Sequence, residues 1–407
     1  MKIKGQLKVK IGIIREGKVP VDKRVPFTPT QAAEIQKRFP DIQVVAQSSV
    51  IRCFTDDEYR AEGIEVRENI DDCDVLMGVK EVPIKDLIAD KTYFFFSHTI
   101  KKQAYNRELL QNILAKNIRL IDYETLTDTN GIRVVAFGRW AGIVGAYNGL
   151  WTYGQRYQLF ETRRAHDCFD LEDLKTEFPK IKLPNIKIVI TGGGRVAKGA
   201  MEVLDGVKIR KVNPQEFLQK DFDEPVYTQL EPWDYHVHKE GKIFELKDFF
   251  QHPDAFDGTF LPFTSQADLL IASAYWDPRS PVLFSREDML KDDFRLKVIA
   301  DITCDIEGSI PSTKRASTID DPIYDYDPVT GEEEKALSSD TNVTMMAVDN
   351  LPCELPRDAS NSFGRDLIEN VLPSLLDDRE EIIHRATITN GGKLTEKYNY
   401  LTDFVNG

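Results

Sequence analysis

The feature that most constrains the fold is the regular alternation of apolar, strand-like runs with helix-like segments over the first 125 residues. The strand-like runs are, in order, KIGIIRE, IQVVAQ, DVLMGVK, TYFFFSH and IRLIDYE. The helix-like segments between them are PTQAAEIQKRF, TDDEYRAE and KQAYNRELLQNILAKN. This rhythm is typical of βαβ units, in which helices cover a parallel sheet. The sequence therefore predicts an α/β domain with a parallel sheet in this region.

A second α/β region begins with IKIVITGGGRVAKGAMEVL and runs to about Asp305. Before it, residues 138–160 are rich in small side chains and compatible with a helix that carries the chain to another domain. The remaining tail has too few elements to form a domain alone. We expect two Rossmann-like domains with parallel sheets, separated by a cleft. Residues 146–311 would form the NAD(P)-binding domain, and residues 1–145 with 312–407 would form a discontinuous substrate domain.

Composition and charge argue against several kinds of partner. The 53 basic residues are outnumbered by 67 acidic residues, which disfavours nucleic-acid binding because phosphate contacts need a Lys and Arg excess. No apolar run approaches the roughly 20 residues of a bilayer span, and the amino terminus does not resemble a signal peptide. The five scattered cysteines form no CxxC pair. We therefore expect reduced thiols, no metal site and a cytoplasmic protein with small-molecule partners; an oligomer is compatible with the sequence.

A glycine-rich loop is the clearest binding motif. The apolar residues 186–190 lead directly to TGGGRVAKGA and then to helix-forming residues. A tight strand-to-helix turn with bare backbone lets a pyrophosphate reach the amide groups and the positive end of the helix. The third glycine of the usual spacing is displaced, because Ala197 stands there and Gly199 follows. The residues expected to contact a dinucleotide at this loop are Gly192, Gly194, Arg195 and Val196.

The end of the next strand bears on the choice of nucleotide. An acidic residue about 20 positions after the loop binds the ribose 2′-hydroxyl in NAD-dependent Rossmann domains. That strand is expected at residues 207–212, and it ends at Asn213 with no carboxylate. Arg195, Arg210 and Lys211 are nearby in the sequence. We therefore expect NADP or NAD as the cofactor, with a preference for NADP, and Asn213 beside the ribose.

Basic and acid/base side chains stand at the ends of several predicted strands of the first domain. Lys80 and Glu81 end one strand, and His98 ends the next. Open α/β sheets bind ligands at the carboxyl ends of their strands, so these residues predict a site. Taken alone, His98 is as compatible with a satisfied core histidine as with a site residue. Similar positions near predicted strands are held by Arg24, Gln103, Glu124 and Arg133.

Residues 78–142, GVKEVPIKDL through FGRWAG, resemble the lysine-ketoglutarate reductase domain of the aminoadipic semialdehyde synthases. More distantly, they resemble the lysine-forming saccharopine dehydrogenases and the alanine dehydrogenase and transhydrogenase family. The likeness extends along nearly the whole chain, through IGIIREGKVPVDKRVPFTP, TGGGRVAKGA, SAYWDPRSPVLFSRED, IADITCDIEGSI and MMAVDNLPCELP.

The resemblance implies a role for each matching residue. Lys80 and His98 match an acid/base pair whose individual roles stay open. The residues implied to bind or tune the substrate are Arg24, Gln103, Arg133, Glu81, Glu124 and Asp305. Asp349, Leu351 and Pro352 match a segment near the nicotinamide. One departure is Asp22, which stands where the fungal enzymes carry a glutamate, so its shorter side chain alters its reach.

The expected activity is an oxidoreductase reaction on CH–NH groups that interconverts lysine and 2-oxoglutarate with saccharopine. A product with three carboxylates explains several arginines better than alanine does, because guanidinium forks bind carboxylates bidentately. The alternative enzyme is an alanine dehydrogenase or another opine-type amino-acid dehydrogenase. A non-catalytic nucleotide sensor with this fold is the alternative of a different class.

Overall fold

The computed structural model describes residues 9–379 and 381–407. Residues 1–8, which bear on the expectation about a signal peptide, lie outside the described residues. The chain divides into two compact units. The first contains the residues up to Phe137 together with Pro356–Gly407, and the second contains Gly138–Leu355. Among the described residues, the structure has no helix with the length and apolar character that crossing a membrane requires.

The amino-terminal segment of the first unit alternates strands and helices as its hydrophobic pattern predicts. Its elements are β1 (Val9–Ile13), α1 (Pro29–Arg38), β2 (Ile42–Gln47), α2 (Asp56–Ala61), β3 (Glu65–Arg67), β4 (Val75–Met77), β5 (Thr92–Phe95), α3 (Arg107–Ala115) and β6 (Arg119–Asp122). Local chemistry sets the start of α1. The side chain of Thr28 accepts the N–H of Gln31, the side chain of Gln31 accepts the N–H of Thr28, and Pro29 occupies the first helical position.

The second unit follows without interruption. Its elements are α4 (Gly138–Tyr157), α5 (Leu171–Lys175), β7 (Lys187–Thr191), α6 (Arg195–Gly206), β8 (Arg210–Lys211), α7 (Pro214–Gln219), β9 (Val226–Leu230), β10 (His236–His238), α8 (Leu246–Gln251), β11 (Phe256–Gly258), α9 (Leu261–Thr264), β12 (Leu269–Ala272), α10 (Arg286–Met289), β13 (Val298–Asp301), β14 (Ile323–Tyr326), β15 (Glu333–Glu334) and β16 (Val343–Met346). The first unit then resumes with α11 (Pro356–Asn370), α12 (Leu372–Leu376), α13 (Ile382–Ala386), β17 (Thr387–Asn390), β18 (Lys393–Leu394) and α14 (Thr402–Asn406).

Each unit is built on a mainly parallel sheet. In the first, the strand order is β18-β17-β6-β5-β4-β1-β2-β3, with β1 to β6 parallel and β17 antiparallel to β6. In the second, the order is β15-β14-β16-β13-β12-β7-β9-β8. In the described part of this sheet, β14 pairs antiparallel with both β15 and β16, and the other neighbouring strands pair parallel. The expected class of two Rossmann-like α/β domains with parallel sheets is confirmed.

The structure places the boundaries of the second unit differently from the sequence prediction. The tail predicted to join the first domain at residue 312 instead contributes β16, which pairs parallel with β13, so the second unit extends to Leu355. At the other end, α4 lies wholly in the second unit because it packs directly on α6. A Cβ on Gly142 would lie only 1.9 Å from the backbone oxygen of Val196. Periodicity cannot show which strand a distant segment will pair with.

Candidate functional site

The carboxyl ends of β4 and β5 bring Lys80, Glu81 and His98 to one edge of the first sheet. β4 and β5 run parallel in register, with Met77 opposite Phe94, so the chain leaves both strands at the same edge. Lys80 follows β4 by three residues and is half-buried, and His98 follows β5 by three residues. This is the edge at which open α/β sheets bind their ligands.

Glu81 directly contacts His98. Nδ1 of His98 lies 2.6 Å from Oε1 of Glu81, and Nζ of Lys18 lies 2.5 Å from Oε2. Burial opposes ionisation of Glu81, but the hydrogen bond and charge of His98 and the hydrogen bond from Lys18 outweigh it and lower the pKa of Glu81 to about 2. Glu81 is therefore a carboxylate that orients the His98 ring, whose side chain stays 21% exposed. Sequence reasoning missed Lys18.

The backbone at His98 is held in an uncommon conformation. Its φ of +52° lies in the left-handed region, which few residues other than glycine adopt. The preceding residue, Ser97, is anchored because its N–H donates to the buried carboxylate of Asp122 at 2.9 Å. The turn therefore directs the imidazole towards Glu81, and such backbone geometry is frequent at functional sites.

Glu16 is a buried acidic residue beside Lys80 that sequence reasoning missed. Its carboxylate accepts the N–H of Val79 at 2.7 Å and the N–H of Lys80 at 2.9 Å. Burial and the neighbouring charge of Asp22 raise the pKa of Glu16 to about 8, against the opposing effect of these two hydrogen bonds. Glu16 follows β1, so the strand-end rule that indicated Lys80 and His98 could have found it.

Arg24 is buried and held by Asp22. Its Nε and Nη2 donate to the two carboxylate oxygens at 3.0 Å and 2.6 Å, and its guanidinium lies 4.2 Å from the ring centre of Phe137. The shorter Asp22 therefore still makes a bidentate pair. Phe137 continues into an aromatic layer that reaches the His98 ring through Phe96, with centroid distances of 6.1 Å and 6.4 Å.

The remaining predicted substrate residues of the first unit form a more exposed group. Nη2 of Arg133 donates to Oε1 of Glu124 at 3.2 Å, and Nζ of Lys101 lies 3.3 Å from the same oxygen. Oε2 of Glu124 is buried and has no hydrogen-bond partner within the described part of the chain. Gln103 is exposed and accepts the Tyr105 hydroxyl at 2.6 Å. Arg133, Lys101 and Glu124 form a polar rim whose cations can meet carboxylates.

The glycine loop of the second unit lies between β7 and α6, as predicted. Gly192 has a φ of +93°, and a Cβ there would come within 3.1 Å of Ala274. Gly194 caps α6 and has no atom within 4 Å of the position of a Cβ, so open space lies above it. Arg195 is exposed and Val196 half-buried at the start of α6. The loop therefore fits a pyrophosphate at the helix N-terminus.

The displaced third glycine also has a packing reason. A Cβ on Gly199 would lie 2.0 Å from the backbone oxygen of Arg139, so Gly199 permits close contact between α6 and α4. Ala197, at the usual third position, is fully buried without such an overlap.

A cavity of about 310 Å³ opens beside this loop. It is lined by all three loop glycines, Arg195 and Val196. Other lining residues include Pro232, His236, Phe249 and Tyr275. Tyr275 is 80% exposed and is therefore available to a ligand. In the first unit, a cavity of about 330 Å³ is lined by Glu16, but neither Lys80 nor His98 lines it.

The predicted substrate residue Asp305 and the remaining predicted cofactor residues of the second unit lie in three different settings. Asp305 follows β13 and Asp349 follows β16, and because those strands are parallel, both loops leave the sheet at the same edge. Burial chiefly raises the pKa of Cys304 to about 12, and the negative charges of Asp305 and Asp349 contribute to the rise. Leu351 and Pro352 are buried next to Asp349 in sequence. Asn213 caps α7: its side chain accepts the N–H of Glu216 at 2.8 Å.

The reasoning that placed Asn213 beside the ribose rested on a wrong strand order. It required the strand ending at Asn213 to be the neighbour of β7. In the structure β9 takes that position, and β8 is the outermost strand beyond it. The absence of a carboxylate at Asn213 therefore carries no information about the nucleotide.

Comparison with known proteins agrees with this architecture. Residues 12–144 match the family model of the alanine dehydrogenase/PNT N-terminal domain. The chain is 30% identical to an alpha-aminoadipic semialdehyde synthase of Arabidopsis thaliana, over 96% of this chain and 41% of that protein. It is 27% identical to a lysine-forming, NAD(+)-named saccharopine dehydrogenase of Yarrowia lipolytica, over 90% of this chain and 92% of that protein. The chain thus spans less than half the length of the synthases it matches.

Solved structures show the same fold. An L-alanine dehydrogenase superimposes with a TM-score of 0.66 at 17% identity, covering 98% of this chain and 99% of that one. A transhydrogenase from Sinorhizobium meliloti superimposes with a TM-score of 0.59 at 14% identity, covering 95% of this chain and 98% of that one. These two structures show the fold, and the sequence comparisons show that nearly the whole chain is similar to the aminoadipic semialdehyde synthases and to the lysine-forming saccharopine dehydrogenases.

Proposed function

We propose that this chain is a pyridine-nucleotide-dependent oxidoreductase that interconverts lysine and 2-oxoglutarate with saccharopine. The observation that carries the proposal is the contact of Glu81 with His98 at the carboxyl edge of the sheet, directly after Lys80. A carboxylate that orients an imidazole is suited to repeated proton transfer. The name of the lysine-forming saccharopine dehydrogenase relative supports saccharopine and lysine as the amino acids involved.

The reaction requires several proton transfers. The lysine amine adds to the 2-oxo carbon, the carbinolamine loses water, and the resulting imine carbon accepts a hydride. The bound nucleotide supplies that hydride and, in the reverse direction, accepts it. We assign the proton transfers to Lys80 and His98. Glu81 holds Nδ1 of His98, which directs the exchangeable position of the ring to Nε2.

Carboxylate recognition falls to the cations of the polar rim. Arg133 is 40% exposed and shares Glu124 with Lys101, so a substrate carboxylate can replace part of that pairing. Arg24 is paired with the buried Asp22 and stacked on Phe137, and these contacts fix the direction of its guanidinium. The Asp22 carboxylate also offsets part of the positive charge of Arg24. Gln103 contributes a neutral polar contact at the exposed edge. On the second unit we assign the loop glycines, Arg195 and Val196 to nucleotide binding, and Asp305, Asp349, Leu351 and Pro352 to the region of the nicotinamide.

The test is a steady-state assay with 2-oxoglutarate and reduced nucleotide, comparing lysine, ornithine, ammonia and no amine. We expect nucleotide oxidation that depends on lysine and forms saccharopine. Equal rates with ammonia would favour an alanine-dehydrogenase-like activity, and a preference for another amine would favour a different opine-type dehydrogenase. Nucleotide binding without turnover of any pair would favour a sensor.

A further inference from the structure

The strand order of the second sheet moves an acidic residue to the nucleotide loop. β7 is flanked by β12 on one side and β9 on the other, and the chain reaches β9 only after passing through the outer strand β8. Thr191, the last residue of β7, lies opposite Leu230, the last residue of β9. The next residue, Glu231, therefore stands at the end of the strand adjacent to the glycine loop. In a Rossmann domain, that is the position of the residue that faces the adenosine ribose.

Contacts around Glu231 hold its carboxylate against the loop. A Cβ on Gly193 would lie 2.1 Å from Oε1 and 2.2 Å from Oε2 of Glu231, so the carboxylate lies directly against this glycine. Nε2 of Gln229 donates to Oε1 of Glu231 and to the backbone oxygen of Gly192, each at 3.0 Å. Gln229 thus ties the carboxylate to the first glycine as well. Pro232, the residue after Glu231, lines the cavity beside the loop.

We propose that Glu231 accepts hydrogen bonds from the adenosine ribose hydroxyls and thereby selects NAD(H) over NADP(H). The inference rests on the nucleotide-binding part of the proposed function and deepens it. An ionised carboxylate is an acceptor only, so it suits the two hydroxyl donors of an unmodified ribose. A 2′-phosphate carries about 1.5 to 2 negative charges at neutral pH, and beside Glu231 it would meet a like charge, which excludes the wrong ligand by repulsion.

Two of the nearby cations, Lys211 and Arg210, do not reverse this preference. Nζ of Lys211 lies 3.2 Å from Oε1 of Gln229, on the side of that amide away from Glu231. Nε of Arg210 is paired with Glu224 at 2.6 Å. A phosphate that reached Lys211 would still have Glu231 as a neighbour, because Gln229 contacts both residues. Of the cations that favoured NADP in the sequence, Arg210 is therefore paired with a carboxylate, and Lys211 is linked to one through Gln229.

The test measures equilibrium binding of NADH and NADPH to the full chain by nucleotide fluorescence, without substrate or turnover. The variants are Glu231→Gln, which keeps the size of the side chain and removes its charge, and Glu231→Ser, which removes the charge and also shortens the side chain. Glu287→Gln is the control, because it makes the same charge change at an exposed carboxylate of the same unit that does not line the cavity. Thermal unfolding checks that each variant is folded.

We expect the wild-type chain and the control to bind NADH at least about tenfold more tightly than NADPH. Both Glu231 variants should lose NADH affinity and gain NADPH affinity, so that the ratio falls to about unity or inverts. The role of Glu231 is overturned if the wild type binds NADPH as tightly as NADH or more tightly, or if the ratio of the two affinities is unchanged in both folded variants. Either result would leave nucleotide binding by the chain intact. Failure of the wild type to bind either nucleotide overturns the proposed function itself.

Discussion

The backbone N–H of Lys80 donates to the buried carboxylate of Glu16 at 2.9 Å, so the proposed acid/base lysine is attached to a group whose own charge depends on pH. The pKa of Glu16 is raised to about 8, chiefly by burial. Ionisation of Glu16 near neutral pH therefore adds a negative charge directly behind the Lys80 backbone.

Glu16 should make the folded state less stable as pH rises. Its pKa in the unfolded chain is near 4.5, so the folded state holds the proton more tightly and stability falls between about pH 4.5 and 8. Glu16→Gln should remove this part of the pH dependence. Between pH 5 and pH 8, the free energy of unfolding should fall more in the wild type than in the variant, by at least about 1.4 kcal/mol, the equivalent of one pKa unit. Urea unfolding across this range measures the difference; parallel curves would contradict it.

Lys80→Met combined with His98→Gln should abolish the chemistry and spare nucleotide binding. Losing both proton-transfer groups should reduce kcat by a factor of about 10² to 10⁴ or more, because each acid/base group contributes on that scale. Nucleotide titration should give nearly the wild-type affinity. The matched control is Lys37→Met with His384→Gln, two exposed residues of the same unit. A normal kcat in the first pair would show that the site has been assigned to the wrong residues.

Gly199→Ala should destabilise the second unit. The new methyl group would lie 2.0 Å from the backbone oxygen of Arg139, so α6 and α4 must separate. Overpacking of this kind costs about 1–3 kcal/mol. Thermal unfolding should show a lower Tm than wild type. If the Tm were unchanged, the close approach of the two helices would be disproved.

Gly194→Ala is expected to separate folding from binding. Gly194 has a φ of −79°, which alanine readily adopts, and no atom lies within 4 Å of the new Cβ. The free energy of unfolding should change by less than about 0.5 kcal/mol. The methyl group enters the open space over the loop, so nucleotide affinity should fall about tenfold or more. Unimpaired binding would place the pyrophosphate elsewhere.

The sequence predicted the strand-end residues of the site because apolar runs show where strands stop. Lys80, Glu81 and His98 each follow such a run, and the parallel register of β4 and β5 brings them to one edge. The contact between Glu81 and His98 could not be predicted in the same way, since it depends on the left-handed turn at His98.

Strand order was the part that the sequence could not supply. The apolar patterns of β8 and β9 indicate two strands, but not that Val226–Leu230 pairs with β7 and leaves Arg210–Lys211 outside. That order is decided by packing among distant segments. It is the reason that we assign the ribose contact to Glu231 instead of Asn213. The same kind of long-range pairing, between β13 and β16, moved the boundary of the second unit to Leu355.

The antiparallel pairing of β17 with β6 has a consequence for synthesis of the chain. The N–H of Leu120 donates to the side chain of Thr389, 269 positions later. Domains generally fold as units while the ribosome extends the chain. The sheet that carries Lys80 and His98 must therefore wait, with β6 exposed, until every residue of the second unit has been translated. The order of translation thus favours a finished second unit, to which we assign nucleotide binding, before the sheet of the first unit is complete.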